Sequence, residues 1–153
     1  MSKLADKEFE FTKLHPGDEE KILTLYRTYR TNTYPPQMVR QLLADFPSVG
    51  VFHKGALIGF SYFEYFAPDI IELGNIFVHK EWRNAGLGKK IIALMEAHAA
   101  ALGYKAIILT NSLGYETVEP KEHAAGFYKR NGYENVLHTE QSDVFVKYLS
   151  GAQ

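Results

Sequence analysis

The chain contains no cysteine. That excludes disulfides, zinc–thiolate sites and a thiol nucleophile. An excess of one charge is missing too: 17 Lys and Arg stand against 18 Asp and Glu, a net charge of −1, which leaves no basic footprint for nucleic acid. No apolar run approaches the ~20 residues that cross a bilayer, and the opening MSKLADKEFEF lacks the apolar core of a signal peptide. The expectation is a cytoplasmic protein that engages neither membrane nor nucleic acid. Repeats, low-complexity tracts and linkers rich in Gly, Ser or Pro are absent as well, so residues 1–153 are expected to form one domain. The six histidines, at 15, 53, 79, 98, 123 and 138, have no metal-ligand spacing, and no metal is expected.

What the chain does have is an ordinary globular balance, 46% hydrophobic against 23% charged, in a length sufficient for a real core. Its oddity is aromatic. Ten Tyr, ten Phe and Trp82 make up 14% and gather mainly in 26–34, 60–66 and 127–133, where core packing accounts for most of them.

Hydrophobic period orders the elements. EFEFTKL alternates like a half-buried strand. HPGDEEKILTLYRTYRT starts a helix at Pro16–Asp18 and carries Ile22, Leu25, Tyr26 and Tyr29 at helical spacing. TNTYPP ends it, and Met38, Val39, Leu42 and Leu43 form the stripe of a second helix. SVGVFH and ALIGFSYFEYF read as strands joined by a tight hairpin at Lys54-Gly55. IIELGNIFV is a third strand, in which Gly74 marks a bulge or a close backbone approach. A long helix from about Gly86 to Leu102 has the stripe Leu87, Ile91, Leu94, Met95, His98, Leu102, with His98 expected in the core and Gly103 at the C-terminal cap. KAIILTN resembles a strand covered on both faces. SLGYETVEP leads to a helix near 121–131, and YENVLHTE and DVFVKYL form a closing hairpin that turns at Gln141-Ser142. The fold class expected is α/β (α+β): a mixed, mostly antiparallel sheet of six to seven strands with a central right-handed parallel crossover over 70–110.

One stretch, RNAGLGKK at 83–90, sets two glycines and three cations where a strand gives way to the long helix. A dinucleotide fingerprint requires a third small residue where Ile91 stands, and a P-loop requires four residues between its glycines. Both fail on spacing. The amides of a helix's first turn are unpaired and lie at the positive end of its dipole. Gly86 and Gly88 let an anion approach those amides, with Arg83, Lys89 and Lys90 adding charge. An ordinary helix start with solvated cations is an equally good reading at this point.

IFVHKEWRNAGLGKKIIALM also resembles the signature segment of the GNAT superfamily of acyl-CoA-dependent N-acyltransferases. There a strand ending in hydrophobic-Val leads through Arg/Gln-x-x-Gly-x-Gly/Ala into a long helix, and Arg83, Gly86 and Gly88 hold the fixed positions. The family's second segment, Ala-x-x-Phe-Tyr-x-x-x-Gly-Phe/Tyr, is similar to HAAGFYKRNGYE through Ala124, Phe127, Tyr128, Gly132 and Tyr133. The resemblance implies a GNAT-like fold, acetyl-CoA as cosubstrate and N-acetyl transfer to a primary amine, whether a small molecule, a peptide N-terminus or a lysine. It implies that the cosubstrate lies where strands 70–78 and 105–110 splay apart. Its pyrophosphate then rests on the backbone of Asn84, Ala85, Gly86, Leu87, Gly88 and Lys89 beside Arg83, and its pantetheine arm runs along Phe77 and Val78. The Val78 amide becomes the donor to the thioester carbonyl. Many members carry an Asn shortly before the second segment; here that position is Lys121, and Asn111 at the strand end takes the role.

Two residues are candidates for the proton transfers. Tyr128 shares helical spacing with Ala124, Phe127 and Asn131, which by itself favours packing. With the resemblance it becomes the general acid, since a phenol with an ordinary pKa of about 10 is close to a departing alkyl thiolate. Glu72 is the candidate base, directly or through a water: its strand is otherwise apolar or small, and apolar neighbours raise a carboxylate's pKa. It stands eleven residues before Arg83, the spacing of the base in some family members. A surface glutamate is the equal alternative. Without cysteine, transfer is expected to be direct, in a ternary complex.

The acceptor is expected near the first two helices and the loops around 31–37, 66–69 and 112–120, the last with Tyr115 and Glu116. Tyr26, Arg27, Tyr29, Arg30 and Tyr34 suit an aromatic group or a carboxylate; Glu64, Asp69, Glu72 and Glu116 suit a second amine. The competing reading is a non-catalytic acyl-CoA sensor or interaction module on the same fold. The terminal hairpin allows a homodimer.

Overall fold

The computed structural model describes residues 8–30, 34–112 and 124–149. Lys121, His123, Tyr115, Glu116 and most of the expected 112–120 loop lie outside the described residues, as does the start of the helix expected near 121. The elements are β1 (Phe9–Thr12), α1 (Glu19–Tyr26), α2 (Pro36–Asp45), β2 (Ser48–His53), β3 (Ala56–Tyr65), β4 (Ile70–Val78), α3 (Leu87–Ala101), β5 (Ala106–Ser112), α4 (Ala125–Arg130), β6 (Glu134–His138) and β7 (Ser142–Tyr148). The strands form one seven-stranded sheet in the order β1-β2-β3-β4-β5-β7-β6. Every pairing is antiparallel except β4 with β5. The architecture is therefore a mixed α/β sheet around one parallel crossover.

Local chemistry sets the ends of these elements. Lys54 and Gly55 both have positive φ, 49° and 82°, as a two-residue turn with the strands' own twist requires. Ahead of α1, Asp18 accepts from the His15 amide at 2.8 Å, and Glu19 and Glu20 occupy the positive end of the helix. Pro36 opens α2 at the one helical position where a missing N–H costs nothing. Arg40 on α2 grips Glu19 through two of its nitrogens, tying the two helices together.

Each face of the sheet carries its own core. One gathers Val49, Val51, Phe63, Ile71, Leu73, Ile107 and Phe145 under Ile91, Ile92 and Met95 of α3. The other gathers Phe60, Tyr62 and Phe77 under Ile22, Leu23 and Tyr26 of α1 and Val39 and Leu43 of α2.

Four sequence expectations need correction. The buried stripe of α3 is Leu87, Ile91, Ile92, Met95 and Ala99, one position round from that expected, and His98 is exposed. Ala99 is fully buried in the same core as Ile91, Ile92 and Met95. The helix itself begins at Leu87, with Gly86 as its cap at φ +83°. β5 is not sealed on both faces: Ile107 and Leu109 are buried, whereas Ile108 is half-buried and Thr110 exposed. The last hairpin turns at 139–141, where Thr139 accepts from the Ser142 amide through its hydroxyl and donates its own amide to the Ser142 carbonyl.

Candidate active site

β4 and β5 pair only over Ile70–Glu72 and Ala106–Ile108. Beyond Glu72 they diverge, and the space between them opens into a cleft of about 890 Å³. Of the residues expected to hold the cosubstrate or to catalyse, all but Ala85 line it.

A bulge in β4 aims the catalytic candidates. Tyr62 pairs with Asn75 and Phe63 with Leu73, so Gly74 is an extra residue in β4. Strict alternation from Phe77 would put Leu73 on the α1–α2 face and Glu72 in the α3 core. The extra residue reverses this. Leu73 and Ile71 are buried beneath α3, and Glu72 reaches the cleft on the same face as Phe77. Gly74 is required in a second way: a Cβ there would lie 2.6 Å from Glu64 Oε2.

The edge of β4 presents backbone as well. The His79 amide donates to the Ile58 carbonyl at 2.8 Å, and Val78 stands opposite Gly59. Bonded and non-bonded pairs alternate along an antiparallel ladder, so Val78 turns its own N–H and C=O away from β3, toward the cleft. Arg83 confirms the direction, since its Nε donates to the Val78 carbonyl at 2.8 Å. By the same alternation Phe77 turns its polar groups to Phe60, and its ring packs against Tyr26 and Tyr29.

The connection into α3 separates the roles of its two glycines. Asn84 and Gly86 are left-handed, at φ +66° and +83°, a conformation Asn and Gly adopt most readily. At Gly86 an added Cβ would meet nothing within 4 Å, so this backbone is open to the cleft. At Gly88 a Cβ would lie 3.2 Å from the Phe127 ring. Gly88 thus makes room for α4 rather than for a ligand. Arg83 is drawn inward, its guanidinium 5.3 Å from the Tyr29 ring and 5.4 Å from Phe77. Lys90 reaches the Phe11 ring at 4.3 Å, away from the cleft, whereas Lys89 lines it together with Arg30, Arg83 and Arg130.

α4 delivers Tyr128, buried against Phe127, Tyr133 and Phe145. Burial, helped by Tyr26, pushes its phenol up to about 12. Glu72 also lines the cleft, and Glu64 on β3 stands directly opposite it across the strand pair. Burial raises the Glu72 carboxyl above its ordinary value, and the Glu64 charge adds to the shift. Burial raises Glu64 also, against the Tyr34 hydroxyl that donates to it at 3.5 Å. Tyr34 itself is pushed up to about 12 by burial and then by Glu64. Arg30 donates to the Tyr26 hydroxyl at 2.6 Å. Glu64 was expected only as one acidic residue among several near the acceptor. Its pairing with Glu72 depends on the strand register, for which the sequence carries no signal beyond Gly74.

The cleft has backbone donors at the α3 start, an amide on the β4 edge, a buried phenol and a carboxylate. That set suits an elongated anionic cosubstrate with a reactive carbonyl. Residues 19–133 match the acetyltransferase (GNAT) family. The chain belongs to this family. No curated protein matches its sequence. Among solved GNAT-fold structures, Ard1 from Thermoplasma volcanium is similar at TM-score 0.79 and 14% identity, over 93% of this chain and 98% of that one. The ribosomal-protein-S18-alanine N-acetyltransferase of Escherichia coli gives 0.78 and 13%, over 95% and 96%. The PaiA N-acetyltransferase of Thermoplasma acidophilum, solved in complex with coenzyme A, gives 0.70 and 17%, over 92% and 98%. At these identities the likeness is one of fold. Among the described residues no helix is long and apolar enough to cross a membrane, and no three His, Asp or Glu side chains are placed to hold a metal.

Proposed function

We propose that this GNAT chain is a single-domain N-acetyltransferase that moves the acetyl group of acetyl-CoA to a primary amine in a ternary complex. The observation that carries this reading is the cleft between β4 and β5, with the Val78 backbone, Tyr128 and Glu72 on its walls. The amides of 84–89 hold the pyrophosphate, with Arg83 and Lys89 near, and Asn111 at the end of β5 contacts the pantetheine arm. The PaiA structure, a coenzyme A complex of the same fold, supports such a cosubstrate. Acceptors that are small amines or peptide N-termini both suit the open α1–α2 side.

Each proton has a place to go. Glu72 takes one from the acceptor's ammonium, and the freed nitrogen lone pair forms the C–N bond. The Val78 amide donates to the developing oxyanion. As the C–S bond breaks, Tyr128 protonates the thiolate, and its phenolate recovers the second proton of the nitrogen. Glu72 then returns its proton to solvent. The products are the acetamide, the free thiol of coenzyme A and one proton.

Calorimetric titration with acetyl-CoA and coenzyme A tests the first half, on wild type and on Gly86→Glu. Binding of micromolar strength, about −8 kcal/mol, is expected for wild type and its loss for the variant. Release of the coenzyme A thiol tests the second, with putrescine, lysine and an alanine-headed tetrapeptide amide as acceptors. A thiol reagent reads only the product, since the protein has no cysteine. Tyr128→Phe should lower kcat by roughly 10²-fold or more. Binding without turnover across a wide amine panel would favour the sensor reading instead.

A further inference from the structure

Beside Glu72, on the neighbouring strand, stands a second carboxylate that the proposed reaction does not use. Glu64 on β3 and Glu72 on β4 are a directly opposed pair, and side chains so placed have Cβ atoms about 5 Å apart. Among the described residues neither carboxylate forms an ion pair; Glu64 instead accepts from the Tyr34 hydroxyl. Space for this arrangement is built into the backbone. Gly74 is the bulged residue that brings Glu72 to the cleft, and its missing Cβ leaves the room in which the Glu64 carboxylate lies, 2.6 Å from where that Cβ would be. One backbone feature therefore serves both carboxylates.

Two like charges face to face oppose each other's ionisation. The first partner able to relieve them is a cation arriving in the cleft, and the proposed acceptor is one before it reacts. We infer that Glu64 is a positioning residue for Glu72: itself held by the Tyr34 hydroxyl, it keeps the Glu72 carboxylate facing the cleft, and its like charge drives Glu72 to take the proton of the acceptor's ammonium. This rests on the reading of Glu72 as the base.

The charged and titratable groups around the pair are few among the described residues. Tyr34 stands just before α2, with Tyr26 and Arg30 of the α1 end beyond it, and on β3 itself the Tyr62 phenol also feels the Glu64 charge. From β5 the residue opposite Glu72 is Ile108, which carries no charge. Glu64 is therefore the near charge whose removal Glu72 must feel.

Carbon-detected NMR titration of protein labelled at the glutamate carboxyl carbons tests the coupling without any acceptor, with Glu72→Gln assigning the signal. In Glu64→Gln the Glu72 carboxyl should titrate at lower pH than in wild type, and Glu64→Asp should restore part of the difference. The acidic limb of kcat/KM for acetyl transfer to the tetrapeptide amide or putrescine should move to lower pH in step. Thermal stability gives a control for a structural role. A carboxyl raised in the fold stabilises fully below its unfolded pKa, and that contribution is lost as pH rises. Glu64→Gln should therefore keep or raise Tm at neutral pH. An unchanged Glu72 titration in Glu64→Gln overturns the inference, and a lowered Tm beside it marks Glu64 as merely structural. If the coupling is present but Glu72→Gln leaves the pH profile of transfer intact, the base reading fails and the coupling stands.

Discussion

Gly86 and Gly88 sit two positions apart and owe their identity to different forces. Gly86 is left-handed with open space around it, so alanine there suffers backbone strain alone. Gly86→Ala should cost about 1–2 kcal/mol in urea denaturation. Gly88 is helical, and alanine would gain about 1 kcal/mol of helix propensity. It would also press its Cβ to 3.2 Å from the Phe127 ring. These two effects nearly cancel, so Gly88→Ala should leave stability within about 1 kcal/mol of wild type. Phe127 lines the cleft and abuts Tyr128, so Gly88→Ala should nonetheless weaken coenzyme A binding in the calorimeter. A large loss of stability with unchanged binding would refute this division of labour.

At the scale of elements, the acid candidate is held by a latch far from the chemistry. Glu96 on α3 accepts from the Tyr133 hydroxyl at 2.9 Å and from Lys147 of β7 at 3.0 Å, while Lys147 also donates to the Asn131 carbonyl at 2.9 Å. Three elements meet there, and the Tyr133 ring touches Tyr128 at 6.1 Å between centroids. Glu96→Ala strands a buried hydroxyl and a part-buried ammonium, which should cost about 2 kcal/mol, and Tyr133→Phe about 1 kcal/mol, in urea denaturation. Such a latch is invisible to sequence, since its members lie 37 and 51 residues apart. The element order, by contrast, was legible, because hydrophobic period and turn chemistry are local: Lys54-Gly55 announces its hairpin and Gly103 the end of α3. Gly74 flagged its bulge as one of two options, but which side chains the bulge would turn toward the cleft depended on the partner strand. The stripe of α3 lies one position round from that expected because the sheet beneath it decides which side is buried, taking Ile92 and Ala99 into the core and leaving His98 exposed. Glycine and cation spacing singled out a stretch most of which lines the cleft, while Phe127's claim on Gly88 and the inward fold of Arg83 required the packed structure.

Across the whole molecule, tyrosine burial links stability to the proposed chemistry. Tyr62, Tyr128 and Tyr133 are 1%, 9% and 3% exposed, on both faces of the sheet. Burial raises all three phenols, Tyr128 to about 12, with Glu96 raising Tyr133 further and a hydrogen bond to Asn75 partly offsetting the shift at Tyr62. An unfolded tyrosine loses its proton near pH 10. These groups therefore contribute their full stability below about pH 10 and lose it as pH rises toward their folded values. Above about pH 10 the unfolded chain binds fewer protons than the folded one, and each tyrosine removes about 1.4 kcal/mol of stability per pH unit, about 4 kcal/mol for the three. Two pH units therefore remove about 8 kcal/mol, a large share of a typical total of about 5–15 kcal/mol. Part of the tyrosinate absorbance should therefore appear only in a late, steep step near about pH 12 that coincides with loss of far-UV circular dichroism. Full development of the tyrosinate absorbance while the circular dichroism is still intact would mean that these three buried hydroxyls are open to solvent, and would refute the link between their burial and the stability of the fold.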